Sequence, residues 1–306
     1  MSFNDDVGLD TSQVESGGGG GGAPGGIAVG GGLGGIILLI LGLIFGIPMG
    51  NGSDPTGGTT TGSSQEQVDG TNGSGSDFSN CKSGADANAD VQCRVIGTVN
   101  SVNAFWAAEL PRYQKQWQQT RTVLYTGSTP SKCGTASNQV GPFYCPLDQK
   151  VYIDASFFDI LTQQFGADNG ALAQEYVVAH EYGHALQDQL GLLGRAQQDP
   201  QGANSGAVRI ELMADCLGGV WAKHASSTDG PDGKPFLKPL TEADIKSALS
   251  AASAVGDDRI QQKTQGQVNP ESWTHGSAEA RQRWFLQGYK TGDLNKCNTF
   301  NVDRVS

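Results

Sequence analysis

The 306-residue chain has no lysine or arginine before Lys82, only four histidines, and no cysteine pair spaced C-x-x-C. Each shortage excludes something. Without a basic residue near its start, and with no A-x-A site after its apolar stretch, the chain lacks the marks of a cleaved secretory signal. Without C-x-x-C, zinc-ribbon and thioredoxin-type chemistry has no support. Positive charge is short overall, and the formal net charge of −11 repels nucleic-acid phosphate, so no nucleic-acid partner is expected.

What is present divides the chain into four parts. Residues 1–26 are acidic, glycine-rich and poor in large apolar groups, which predicts a disordered tail. Residues 27–49 carry no charge and are long enough to cross a hydrocarbon core of about 30 Å as one helix. A retained single-pass membrane anchor is expected there. Residues 50–78 are rich in Gly, Ser, Thr, Asn and Asp, a flexible linker with a reach of about 30 Å. Residues 79–306 regain aromatic and aliphatic residues and are expected to form one folded domain. All six cysteines, Cys81, Cys93, Cys133, Cys145, Cys216 and Cys297, follow the apolar stretch. An even set on one side of a membrane implies an oxidising compartment. The expected topology is therefore an inside N-terminus and an extracytoplasmic domain. The expected pairs are Cys81–Cys93, Cys133–Cys145 and Cys216–Cys297: the first two close short local loops and the third ties a downstream helix to the C-terminal tail.

Within the domain, apolar spacing predicts helices over 90–110, 154–165, 171–190, 205–224, 241–254 and 277–289. Alternation predicts a strand over 121–125 and a hairpin over 140–154. Strands followed by many helices imply α+β, with a small antiparallel sheet.

The chemistry concentrates in His180-Glu181-Tyr182-Gly183-His184, which uses two of the four histidines. On a helix, His180 and His184 share a face and can reach one ion. Glu181 stands where it can touch a metal-bound water without being a ligand. A catalytic zinc needs a third protein ligand. The metzincin continuation is excluded, because Gln187 and Leu190 stand where glycine and histidine would. Two carboxylates compete. Asp188 shares the helix face but sits about 6 Å further along the axis than His184. Glu211, from a separate helix, can approach from the side and is the better candidate. Asp215, one turn on, is the expected hydrogen-bond partner of a ligand histidine. His275 lies in a loop before a helix that Ser277 or Thr274 would cap, where it could donate to an oxyanion. His224, at a helix end, reads as structural.

The segments CGTASNQVGPFYCPLDQKVYIDASFF, YVVAHEYGHALQ, ELMADCLGGVWA and HGSAEARQRWF, in order from Cys133 to Phe285, resemble the neutral zinc metallopeptidase family of bacterial membrane-anchored proteins. The resemblance implies a zincin-like domain of the glutamate-ligand type, with zinc on His180, His184 and Glu211 and with Glu181 as base. It also implies an extracytoplasmic enzyme. Many members have a second histidine after the motif's last; here that position is Ala185, outside the ligand set.

The expected activity is peptide-bond hydrolysis, endopeptidase rather than exopeptidase. One Zn²⁺ per chain would supply the bound water, Glu181 the base and His275 an oxyanion donor. The strand near 150–154 is expected to pair with extended peptide or protein substrate. The rivals are a catalytically silent zinc-binding surface scaffold and a zinc amidase acting on a cell-wall cross-link.

Overall fold

Asp90 ends one helix and begins the next. It closes helix α1 (Gly84–Ala89) and caps α2 (Val91–Glu109), its carboxylate accepting from the backbone N–H of Gln92 and Cys93. Such a cap is worth about 1 kcal/mol. The structure, a computed structural model, describes residues 2–18 and 77–306. The stretch 27–49, expected to cross a membrane, lies outside the described residues, as do 19–26 and 50–76. Among the described residues no helix is long and apolar enough to cross a membrane.

The strands are β1 (Val14–Gly17), β2 (Arg121–Tyr125), β3 (Ser128–Ser131), β4 (Gly134–Ser137), β5 (Phe143–Cys145) and β6 (Lys150–Asp154). The main sheet runs β1-β2-β6-β5, and β3 and β4 form a separate antiparallel pair. The α+β expectation holds, but the expected antiparallel sheet is corrected. β5 and β6 pair antiparallel, whereas β1, β2 and β6 are parallel to one another. Alternation along a strand reports which face is buried and is silent about the direction of its partner.

Seven further helices follow: α3 (Phe157–Gln163), α4 (Ala171–Gln189), α5 (Gly194–Gln198), α6 (Gly206–His224), α7 (Glu242–Ala254), α8 (Asp257–Gln265) and α9 (Ala278–Thr291). Ser205, Thr241 and Ser277 cap α6, α7 and α9 through their hydroxyls. α1, α5, α8 and the β3–β4 hairpin were not expected; they are short or carry few apolar residues.

α4 and α6 cross tightly, because a Cβ on Gly183 would stand 3.0 Å from the Ala214 Cα. α6 and α9 also touch: a Cβ on Gly288 would run into the Cys216 carbonyl. The three disulfides pair Cys81–Cys93, Cys133–Cys145 and Cys216–Cys297. The last closes the longest loop, with a sequence separation of 81. By chain entropy it contributes about 4–5 kcal/mol against ~3 kcal/mol for a short loop.

The disordered tail expected over 1–26 is corrected for residues 2–18. Phe3 and Val7 are wholly buried in the core and Val14 nearly so. Composition averaged over the tail hid three well-spaced apolar residues whose partners lie far away in sequence.

Candidate active site

Helix α4 presents His180 and His184 one turn apart, and α6 presents Glu211 and Asp215 in the same way. The Gly183–Ala214 crossing brings the two faces together. One ligand atom each from His180, His184 and Glu211 lies within 4.8 Å of the others. The Nε2 of His180 is 3.2 Å from Glu211 Oε2, and the Nε2 of His184 is 3.4 Å from Glu211 Oε1. All three side chains are buried.

The other ring nitrogens are held from behind. His180 Nδ1 donates to Asp215 Oδ1 at 2.8 Å, and His184 Nδ1 donates to Gln187 Oε1 at 2.8 Å. The Gln187 amide is oriented in turn, since its Nε2 donates to the Ile210 carbonyl at 2.7 Å. These bonds fix the tautomer, because a carboxylate or amide oxygen can only accept. Each Nε2 then offers a lone pair, and both lone pairs face the Glu211 carboxylate. Three electron-rich groups closing on one point in a buried site repel one another unless a cation stands among them. A proton on Nε2 of His180 is one such cation. Burial, the largest influence on His180, disfavours its charged form, but the Asp215 and Glu211 carboxylates outweigh burial and push its pKa up to about 10. A bound metal ion would take that proton's place. The donor set, two imidazoles and one carboxylate, fits Zn²⁺ with one position left open.

Asp188, the rival third ligand, is elsewhere. Its Oδ2 accepts from the Tyr144 hydroxyl at 2.8 Å, and it is not among the clustered groups.

Glu181 is buried, and its Oε2 has no hydrogen-bond partner among the described residues. Burial raises its pKa, opposed by His180 and His184. Burial also raises that of Asp215, but Arg281 and His180 overcome it and bring the carboxyl down to about 2.

His275 is buried at the same centre. Its Nδ1 lies 2.8 Å from the Thr274 hydroxyl and 3.3 Å from Asp257 Oδ1. Asp257 Oδ2 accepts from the backbone N–H of Thr274, His275 and Gly276 at 2.8, 2.7 and 2.9 Å. The loop is thus clamped, with the imidazole oriented by the same carboxylate. Burial lowers the His275 pKa, but the Glu211 and Asp257 carboxylates raise it overall. His224 packs away from the centre, stacked on Phe105, with its Nε2 3.1 Å from the Gly292 carbonyl.

Sequence reasoning missed Arg281, Tyr176, Gln187 and Asp257. Arg281 is buried, and its Nε donates to Asp215 Oδ2 at 2.9 Å. Tyr176 donates its hydroxyl to Asp215 Oδ1. Arg281 lies in a segment rich in charge and Gln187 one turn after the motif. Nothing in their spacing distinguishes either from a solvated side chain. The strand expected to receive substrate is also corrected. β6 is paired on both sides, with β2 and β5, so it has no free edge. The segment that reaches the centre is 140–142, just before β5. It lines a cavity with Phe157, Val177, Glu181 and Arg281.

The sequence profile of the family described as “Putative neutral zinc metallopeptidase” matches residues 5–300. The chain belongs to this family. It is 55% identical over 229 residues to “Uncharacterized protein Rv2575” of Mycobacterium tuberculosis, covering 74% of this chain and 77% of that one. It is 44% identical over 200 residues to “Uncharacterized protein YpfJ” of Escherichia coli K12, covering 64% and 66%. No solved structure matches. Membership, together with the clustered His180, His184 and Glu211, makes the site that of a zinc-peptidase family member.

Proposed function

We propose that the protein is a zinc-dependent endopeptidase that hydrolyses peptide bonds within protein or peptide substrates. The observation that carries this is the convergence of both histidine Nε2 atoms and the Glu211 carboxylate beside the unpartnered Oε2 of Glu181. A structural zinc site is closed by four protein ligands; here three converge, and the neighbouring group is a base.

Zn²⁺ bound there lowers the pKa of a water and polarises a carbonyl oxygen. The chain's own residues do the rest. Glu181 takes the proton from the attacking water and delivers it to the departing amine. His275 donates a hydrogen bond to the oxygen of the scissile carbonyl as negative charge develops on it. Asp215 and Gln187 keep the two ligand imidazoles in the tautomer that leaves Nε2 free. The 140–142 segment and the start of β5 present backbone to an extended substrate. The apolar lining from Val140, Pro142, Phe157, Val177 and Val255 suits an apolar substrate side chain.

The charge-free 27–49 stretch supports a membrane anchor, and three disulfides support a domain that works outside the cytosol.

The test is digestion of a denatured protein mixture and of purified cell-wall material, each before and after zinc chelation and after zinc is restored. Zinc-dependent cleavage of the protein mixture supports the proposal. Release from wall material alone would make the protein an amidase. Stoichiometric zinc without either activity would make it a scaffold.

A further inference from the structure

The N-terminal segment is built into the folded domain. Phe3 N–H donates to Asn88 Oδ1 at 2.8 Å, and Asn88 Nδ2 donates back to the Phe3 carbonyl at 3.1 Å. Asp10 and Asn100 repeat this reciprocal arrangement at 2.8 and 2.9 Å. Asn4 N–H donates to the Phe236 carbonyl and Gly84 N–H to the Val7 carbonyl. β1 then adds in parallel to β2 from Val14↔Thr122 to Gly17↔Tyr125.

The receiving surface is shaped for this occupant. A Cβ on Gly97 would stand 2.6 Å from the Phe3 ring, and one on Gly84 would collide with the Asn4 carbonyl. The Cys81–Cys93 disulfide fastens the loop before α1 to α2. Charge matches as well. Glu15 lies 2.6 Å from Lys150 Nζ, and Asp5 lies 3.1 Å from Lys238 Nζ. The family profile begins its match at residue 5, inside the segment.

The segment also reaches the motif helix. Asn103 Nδ2 donates to Gln13 Oε1 at 2.8 Å and to the Thr120 carbonyl at 3.0 Å. The same carbonyl accepts from the hydroxyl of Tyr182, between His180 and His184, at 3.0 Å.

We infer that residues 2–18 are a constitutive strand of the catalytic domain, docked within the same chain, so the segment before 27–49 and the domain after it lie on one face of the membrane, and 27–49 does not cross it as a single helix. This replaces the expected arrangement with the N-terminus inside and the domain outside. A strand cannot pair with β2 through a bilayer, because its backbone groups need partners within hydrogen-bond reach. The sequence offers no counterweight: with no Lys or Arg before Lys82, nothing basic holds the N-terminus on the cytoplasmic side.

The experiment uses the full chain in membranes of intact bacterial cells. All six native cysteines are paired, so Ser12→Cys and Gln265→Cys, both at exposed positions, each add a single thiol. A membrane-impermeant maleimide is applied before and after the membrane is opened. The expected result is the same labelling pattern for both variants. In parallel, a zero-length carbodiimide should join Glu15 to Lys150 within one chain, and Phe3→Asp should lower that yield by about tenfold or more through loss of the buried ring. Different labelling of the two positions would overturn the inference. So would a Glu15–Lys150 link that joins two chains, or its absence in the unsubstituted protein.

Discussion

Arg281 grips Asp215 with two donors, Nε to Oδ2 at 2.9 Å and Nη2 to Oδ1 at 3.0 Å. Asp215 in turn holds Nδ1 of the ligand His180 at 2.8 Å. A guanidinium from α9 thus orients His180, a candidate metal ligand on α4, through a carboxylate on α6. Arg281→Ala should lower zinc affinity by about 10–100-fold and destabilise the fold by about 3–5 kcal/mol, because Asp215 would remain buried without its partner. Arg281→Lys should recover the stability but only part of the affinity, since lysine lacks the planar fork. Chelator competition and denaturant unfolding read the two quantities separately. Unchanged affinity in Arg281→Ala would remove the positioning role.

Glu181 Oε2 has no hydrogen-bond partner among the described residues, which leaves it free for proton transfer. Glu181→Gln should keep about one zinc per chain and lose hydrolysis by at least ~100-fold. Metal analysis and peptide cleavage on the same preparation decide it. Full activity, or loss of the metal, would contradict the base assignment.

Glu211 clusters with His180 and His184 as a group that could hold a metal ion, and Asp188 is engaged by Tyr144 at 2.8 Å. Glu211→Ala is expected to abolish tight zinc binding, while Asp188→Ala keeps stoichiometric zinc. The reverse pattern in the two purified variants would overturn the ligand set.

His275 is oriented by Asp257 but lies outside the ligand cluster. His275→Gln should reduce kcat by about 100-fold and leave zinc content unchanged. Loss of zinc in this variant would identify His275 as a ligand instead.

Glu175 lies in the core of α4 with neither carboxylate oxygen hydrogen-bonded among the described residues. Burial pushes its pKa from the ordinary 4.5 up to about 8. A carboxyl raised on folding binds a proton more tightly when folded. The stability it contributes is complete below pH 4.5 and is lost as pH rises toward 8, by at most ~1.4 kcal/mol per pH unit. Glu175→Gln should match the parent protein near pH 5 and exceed its stability near pH 8 by at least about 1 kcal/mol. Denaturant unfolding at both values checks this; an equal difference at both would place the titration elsewhere.

The sequence alone determined what local periodicity and side-chain chemistry can encode. α4 carries a ligand pair at i, i+4, so helix geometry by itself put His180 and His184 on one face. The same rule set Glu211 with Asp215 on α6, and a hydroxyl before a helix offered Ser277 or Thr274 as a cap, of which the structure uses Ser277. Tertiary structure decided what depends on meetings between distant segments. Arg281, Asp257 and Gln187 owe their roles to the carboxylate or imidazole each faces, and no sequence period records that. The parallel pairing of β2 with β6 likewise depends on the chain returning through β3, β4 and β5, which strand alternation does not record. The burial of Phe3 was also decided there: an apolar residue in an acidic, glycine-rich tail has no local partner, and only the groove floored by Gly84 and Gly97 removes it from water.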